Sequence, residues 1–196
     1  GPGPTKEDFI KNEYLEYRLQ NNIIATIDAS YSGAEGIREA FSKCSDILSN
    51  FRMVEEKKII EKLFQEINTN SGLGSYGLKE VIEMLRNNIA GMVVISDDIN
   101  MSRIEKKCKR CSHVEEEIIE QGKRIARKTE LKSQGCSECK AMDFEINDQD
   151  LIDFIALIAS QTGTKVEVVS GKTEHGIMLG SLGNIAAILR YNPNRS

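Results

Sequence analysis

The chain has 196 residues, of which 40% are hydrophobic and 29% charged, and carries a formal net charge of −4. That length holds one domain with a full core or two small ones, and the composition is that of an ordinary globular protein. The acidic balance excludes a general polyanion binder, no apolar run is long enough to cross a membrane, and no signal-peptide pattern is present, so no membrane partner is expected.

In chain order, Gly1-Pro2-Gly3-Pro4 is incompatible with regular structure. Thr5 or Asp8 caps a predicted helix running to about Gln20, with Phe9, Leu15 and Leu19 inward. Asn22 to Asp28 predicts a short buried strand, and Tyr31-Ser32-Gly33 a turn. A helix over about 34–50 places Ile37, Phe41, Cys44 and Leu48 on one face. A lone strand between two helices has two unpaired edges, so the first 50 residues are expected to be part of a larger unit. Met53 to Asn68 predicts an amphipathic helix with Ile60, Leu63, Phe64 and Ile67 inward. The glycines from 72 to 77 predict a loop, and Leu78 to Asn88 a helix burying Val81, Ile82 and Leu85.

Met92 to Ser96 is a continuous apolar strand of the kind buried on both faces. A polar, charged excursion follows over 97–150. Regular patterning resumes with a helix from Asp150 to about Gln161, a half-buried strand at 165–170, a short helix from Thr173 to about Leu182, and a last strand over 184–191. From residue 53 the order α-α-β, insertion, α-β-α-β predicts an α/β sandwich of two or three layers on three or four strands.

The excursion holds four of the five cysteines, as Cys108-Lys-Arg-Cys111 and Cys136-Ser-Glu-Cys139. Each C-x-x-C turn points two sulfurs the same way, and two such turns together give the tetrahedral thiolate set that zinc prefers. With all four positions supplied by protein, such a site is structural rather than catalytic. The competing readings are two redox-active pairs or two disulfides. Four thiolates on one divalent cation leave about −2 of charge, which Lys106, Lys107, Lys109, Arg110, Lys132 and Lys140 would offset. His113, just past the first pair, is an alternative ligand or an exposed side chain. Thiols in metal-type spacing suggest the reducing cytoplasm. Cys44, in a helical apolar stripe, is expected to be a small core residue.

No P-loop, G-x-S-x-G or H-E-x-x-H occurs, and two histidines are few for acid–base work, so no enzyme activity is expected. Asp97-Asp98 and Glu115-Glu116-Glu117 read as solvated carboxylates. Lys123, Arg124, Arg127, Lys128 and Lys132 could contact ribosomal RNA phosphates, or could pair with Glu115 to Glu120.

Several stretches together resemble a known family. Near the end these are Thr164-Lys-Val-Glu-Val-Val-Ser170, Thr173-Glu-His-Gly176 and Ala186-Ala-Ile-Leu-Arg-Tyr191. Upstream, Asp28-Ala-Ser-Tyr-Ser-Gly33, Val54-Glu-Glu-Lys-Lys-Ile-Ile60 and Tyr76-Gly-Leu-Lys-Glu-Val81 fall in the same order. The chain resembles class-one peptide chain release factors of the archaeal and eukaryotic type, and the cysteine quartet resembles the archaeal branch.

The resemblance implies a fragment acting in translation termination. Residues 1–52 would be the trailing part of the middle domain without its Gly-Gly-Gln loop. Residues 53–196 would be the C-terminal domain, with a zinc-binding insertion over about 100–148. It further implies a non-catalytic role: docking a translational GTPase of the elongation-factor type and the recycling ATPase on the ribosome. The family's Gly-Ile-Leu-Arg-Tyr motif is tied to GTPase binding and aligns with Ala187, Ile188, Leu189, Arg190 and Tyr191. Ala187 departs from its first glycine, Asn184 stands at another family glycine, and His175 replaces a glutamate. Ile188 and Leu189 also fit a strand core, whereas Arg190 and Tyr191 at the strand's end are the better contact candidates. The alternatives are the C-terminal domain of a Pelota-type ribosome rescue factor, an RNA-binding zinc module, and a thiol redox enzyme.

Overall fold

The structure is a computed structural model describing residues 4–11, 14, 16–20, 22–69 and 71–193, and it divides into two units, 1–58 and 59–196. The first unit contains α1 (Pro4–Lys11), α2 (Tyr17–Gln20) and most of α3 (Gly33–Asn68). The helices predicted at 34–50 and 53–68 are thus one. Ser49-Asn50-Phe51-Arg52 contains neither Gly nor Pro, so nothing interrupts the i to i−4 ladder.

The strand expected at 22–28 is not formed. An apolar run becomes a strand only when a second strand takes its N–H and C=O groups, and among the described residues none does. Ile23 and Ile24 are exposed, and polar contacts hold this segment instead. Lys6 Nζ meets Asp28 Oδ1 at 2.5 Å, and Lys43 Nζ donates to the Asp28 carbonyl at 2.8 Å. Glu39 Oε2 accepts from the Ser30 N–H at 2.7 Å. The Lys43 ammonium, seconded by that N–H, holds the Glu39 carboxyl down at about 2. Phe9, Leu19, Ile37, Phe41 and Leu48, expected inward, are exposed, and Cys44 is half-buried; Leu15 lies outside the described residues. Ala29 is the only buried apolar side chain among the described residues of this unit, so these stripes have no core within it to cover.

The second unit has two sheets. After the last turns of α3 come β1 (Gly74–Tyr76), α4 (Leu78–Arg86) and β2 (Ala90–Ser96). Next are β3 (Met101–Cys108), β4 (Val114–Glu120), α5 (Arg124–Ser133) and β5 (Phe144–Asp150). The chain then returns through α6 (Leu151–Thr162), β6 (Lys165–Val169), α7 (Glu174–Gly180) and β7 (Ile185–Leu189). The first sheet has the order β1-β7-β2-β6, with β2 and β6 parallel and the other pairs antiparallel, as a small mixed-sheet sandwich requires.

Side chains alternate across this sheet. Val93, Ile95, Ile185, Ala187 and Leu189 pack with Val81, Leu85, Phe154 and Ile155 of α4 and α6. Val94, Ala186 and Ile188 pack with Ile60 and Leu63 of α3 and Leu179 of α7. The result is three layers, each buried Val, Leu, Ile or Phe side chain stabilising by about 1.5–3 kcal/mol. α6 is bounded by its own sequence: Asp150 accepts from the Ile152 N–H at 2.8 Å, and Gly163 ends the helix at φ 63.

The excursion between β2 and α6 is a second sheet, β4-β3-β5, antiparallel throughout. Its outer ends meet, since Ser102 pairs in register with Asp150, the residue that starts α6. Arg86 of α4 and Arg103 of β3 lie over the Phe154 ring at 5.6 and 4.5 Å, and both bind Glu116 of β4. Glu116 is therefore a tie between this sheet and the helical layer rather than a solvated charge. Among the described residues, no helix is long and apolar enough to cross a membrane.

Candidate metal centre

The β3–β4 ladder delivers Cys108 to the end of a strand, and the connection to β4 forms the first knuckle. There the Cys108 N–H donates to the His113 carbonyl (2.9 Å) and the Ser112 N–H to the Cys108 carbonyl (3.0 Å). The second knuckle lies between α5 and β5 and repeats this pattern. The Cys136 N–H donates to the Ala141 carbonyl (2.9 Å), and the Lys140 N–H to the Cys136 carbonyl (3.0 Å). Ser112 and Lys140, each one residue past its pair, both adopt the left-handed conformation at φ 59. Neither is glycine, so sequence alone gave no sign of these turns. Gly135 allows the second knuckle to close, because a Cβ there would stand 2.9 Å from the Lys140 carbonyl oxygen.

The two knuckles face each other. Cys108 Sγ lies 3.5 Å from Cys139 Sγ and Cys111 Sγ 3.6 Å from Cys136 Sγ, and all four sulfurs fall within 4.8 Å of one another. A tetrahedron of ~2.3 Å metal–sulfur bonds has edges of about 3.8 Å, so the spacing fits one thiophilic cation. The contacts at 3.5 and 3.6 Å join sulfurs of opposite pairs, and all four are free thiols. His113 is outside the cluster of candidate ligands and contributes backbone only.

The electrostatics favour thiolate at the first cysteine of each pair. N–H groups of Cys111 and Arg110 point at Cys108 Sγ and bring its pKa down to about 6. The Cys139 and Glu138 N–H groups lower Cys136 in the same way. Cys111 is exposed and receives the His113 N–H, but its three sulfur neighbours raise it to about 12. Crowded sulfurs that resist sharing negative charge are what a bound divalent cation relieves.

Lys106, expected to offset thiolate charge, and Glu115, expected in solvent, both belong to this centre. Lys106 is buried, its side chain 3% exposed, and its Nζ donates to the carbonyls of Gln134 (2.9 Å) and Gly135 (3.2 Å). Glu115 accepts from the Ser137 N–H at 3.0 Å. The Ser137 hydroxyl and N–H, with Lys106, keep its carboxyl below the usual range. The available signal was their direct opposition in the β3–β4 register, which no periodicity reveals. The basic strip is largely neutralised: Lys123 pairs with Glu120, Arg124 and Lys128 with Asp148, and Arg127 with Glu117 and Glu130.

The four contact candidates within the GTPase motif, Ile188, Leu189, Arg190 and Tyr191, separate into two kinds. Ile188 and Leu189 are buried in β7, in opposite layers of the core, and present no contact surface. Tyr191 is 55% exposed. Arg190 is exposed but occupied, since its guanidinium donates to Asn88 Oδ1 at 2.6 Å and to the Thr162 carbonyl at 2.8 Å. It thereby ties the turn after α4 to the C-terminus of α6.

Comparison with known proteins matches residues 53–193 to the family described as eRF1 domain 3 and residues 1–50 to eRF1 domain 2. Peptide chain release factor subunit 1 of Methanobrevibacter smithii is 39% identical over 193 residues, covering 98% of this chain and 46% of its own length. The chain thus spans about half the length of the curated relatives it matches. Among solved structures, the C-terminal domain of a peptide chain release factor from Methanosarcina mazei superposes with a TM-score of 0.69 at 24% identity, covering 84% of this chain and 99% of that one. A ribosome-bound archaeal Pelota, described together with ABCE1, superposes with a TM-score of 0.50 at 23% identity, covering 97% of this chain and 42% of that one.

Proposed function

The chain belongs to the eRF1 family of peptide chain release factors, and we propose from that membership that it serves translation termination on the cytoplasmic ribosome of an archaeal-type system. In this reading residues 1–52 are the end of the middle domain and 53–196 the C-terminal domain. The observation that carries it is the 39% identity to a release factor over 98% of the chain. The likeness to Pelota, at 23%, is one of fold.

The domain docks and breaks no bond. A translational GTPase is its delivery partner. The ribosome and an ATPase of the ABCE1 kind are supported by the like-folded Pelota described with both. Tyr191 offers the exposed contact, Ile188 and Leu189 hold the strand beneath it, and Arg190 sets the shape of the surface from which it projects. Zn2+ held by Cys108, Cys111, Cys136 and Cys139 is structural: it neutralises crowded thiolates and joins the two knuckles. Pairing of the basic strip with neighbouring carboxylates weighs against the RNA-module reading.

Binding of the chain to an elongation-factor-type GTPase, measured by calorimetry, tests the docking role. Tyr191→Ala is expected to weaken it at least about tenfold with an unchanged Tm, as for a central aromatic contact. Undiminished binding of that variant removes Tyr191 from the interface. Arg190→Ala is expected to lower Tm as well, because two helix ends lose their tie.

A further inference from the structure

The two knuckles are held in different ways. The first closes the β3–β4 hairpin, and the ladder alone fixes it. The second lies between α5 and β5: its exit is held by the β3–β5 ladder, which runs to the Cys108–Phe144 pair and continues in the Lys109 N–H donating to the Asp143 carbonyl at 3.0 Å, but its entry from α5 has no ladder. What remains to be fixed is the α5 side, where Gln134 and Gly135 lead into Cys136.

Lys106 and Glu115 meet that need. They oppose each other in register on β3 and β4, and their charged ends approach to 3.6 Å. Both reach the second knuckle with the polarity its backbone requires. The ammonium takes the carbonyls of Gln134 and Gly135, which lead into Cys136, while the carboxylate takes the N–H of Ser137, inside the pair. The Phe144 ring covers Lys106 Nζ at 4.6 Å, so these bonds are sheltered from water. Burying an ammonium is costly unless every such partner is present, which makes the arrangement all-or-none.

We propose that Lys106 and Glu115 are positioning residues that bolt the second Cys pair to the strands carrying the first, and so set the affinity and geometry of the thiolate site. This rests on the reading of the cysteine quartet as a metal site. Outer partners that orient ligands change metal affinity by about 10–100-fold when removed.

The test is metal binding by the full chain. Zn2+ affinity is measured by competition with a chromophoric chelator, and site geometry by the Co2+ thiolate charge-transfer and d–d bands. Lys106→Met and Glu115→Ala are each expected to bind Zn2+ about 10–100-fold more weakly, with altered Co2+ bands. Lys106→Arg, which keeps the donors, is expected to recover most of the affinity. Arg127→Ala, which leaves both knuckles untouched, is expected to bind as the wild type does. Affinities within about twofold of wild type and unchanged Co2+ bands in Lys106→Met and Glu115→Ala would overturn the proposal. Should Lys106→Met fail to fold, Glu115→Ala decides, since Glu115 is only half-buried. A wild-type chain that takes up neither metal overturns the metal reading and this inference with it.

Discussion

The two sheets of the second unit solve the same problem with opposite materials. The mixed sheet is sealed on both faces by apolar side chains from four helices. The three-stranded sheet buries Ser102, Ile104, Lys106 and Cys108 along β3 and is tied by ion pairs and sulfur. The difference teaches that neighbouring sheets in one unit can answer to different perturbations. Cavities should damage the first, whereas chelators, acid and salt should damage the second.

The largest effect is expected inside the mixed sheet. Leu85→Ala empties a fully buried position and should cost about 3–4 kcal/mol in denaturant melts while leaving metal affinity unchanged. A matching loss of metal binding would mean that the two sheets are not separable. Next comes Cys136→Ser, expected to abolish tight metal binding. Hydrogen exchange should then speed up in β4 and β5 before it does in β2 and β7; uniform loss of protection would break the distinction.

Acid should give a smaller, graded effect. Glu115, Glu116 and Asp148 titrate below their ordinary values. Glu115 is held down by Ser137 and Lys106. Burial of Glu116 is outweighed by Arg103 and Arg86, and Lys128 leads at Asp148. With folded pKa values depressed, their stabilisation is complete above about pH 4.5 and is lost as pH falls through the lowered folded values. Amides of β4 and α5 should lose protection there while β2 keeps its own; simultaneous loss would show that carboxylates do not hold the module. The smallest effect is at the rim. Lys123→Ala removes an exposed partner of Glu120 and should change stability by less than about 0.5 kcal/mol, whereas a loss above 1 kcal/mol would show the strip acting as a network.

How much could be read from sequence follows the same division. β2 and α6 were legible because unbroken apolar runs and a capping Asp150 answer to burial and local hydrogen bonding. β1 was not, because Gly-Ser-Tyr carries no pattern and owes its strand state to β7, through pairs such as Gly74–Ile188. The three-stranded sheet was hidden because the inward side of β3 alternates serine, isoleucine, lysine and cysteine, which hydropathy averages away. The run at 22–28 failed in the other direction, having apolar character without a partner to bond. The cysteine spacing announced the candidate centre, but its supports at Lys106 and Glu115 depend on cross-strand register, a property of two segments at once.

The pairing of Ser102 with Asp150 has a genetic consequence. Neighbouring strands put those two α-carbons only about 5 Å apart. A splice joining them through a tight turn would delete the cysteine cassette in one step and return the backbone to the first turn of α6 almost where it left. The same cut would take Arg103, Glu116 and Ile118 away from the α4–α6 layer, so the Phe154 ring and its neighbours would need a new cover.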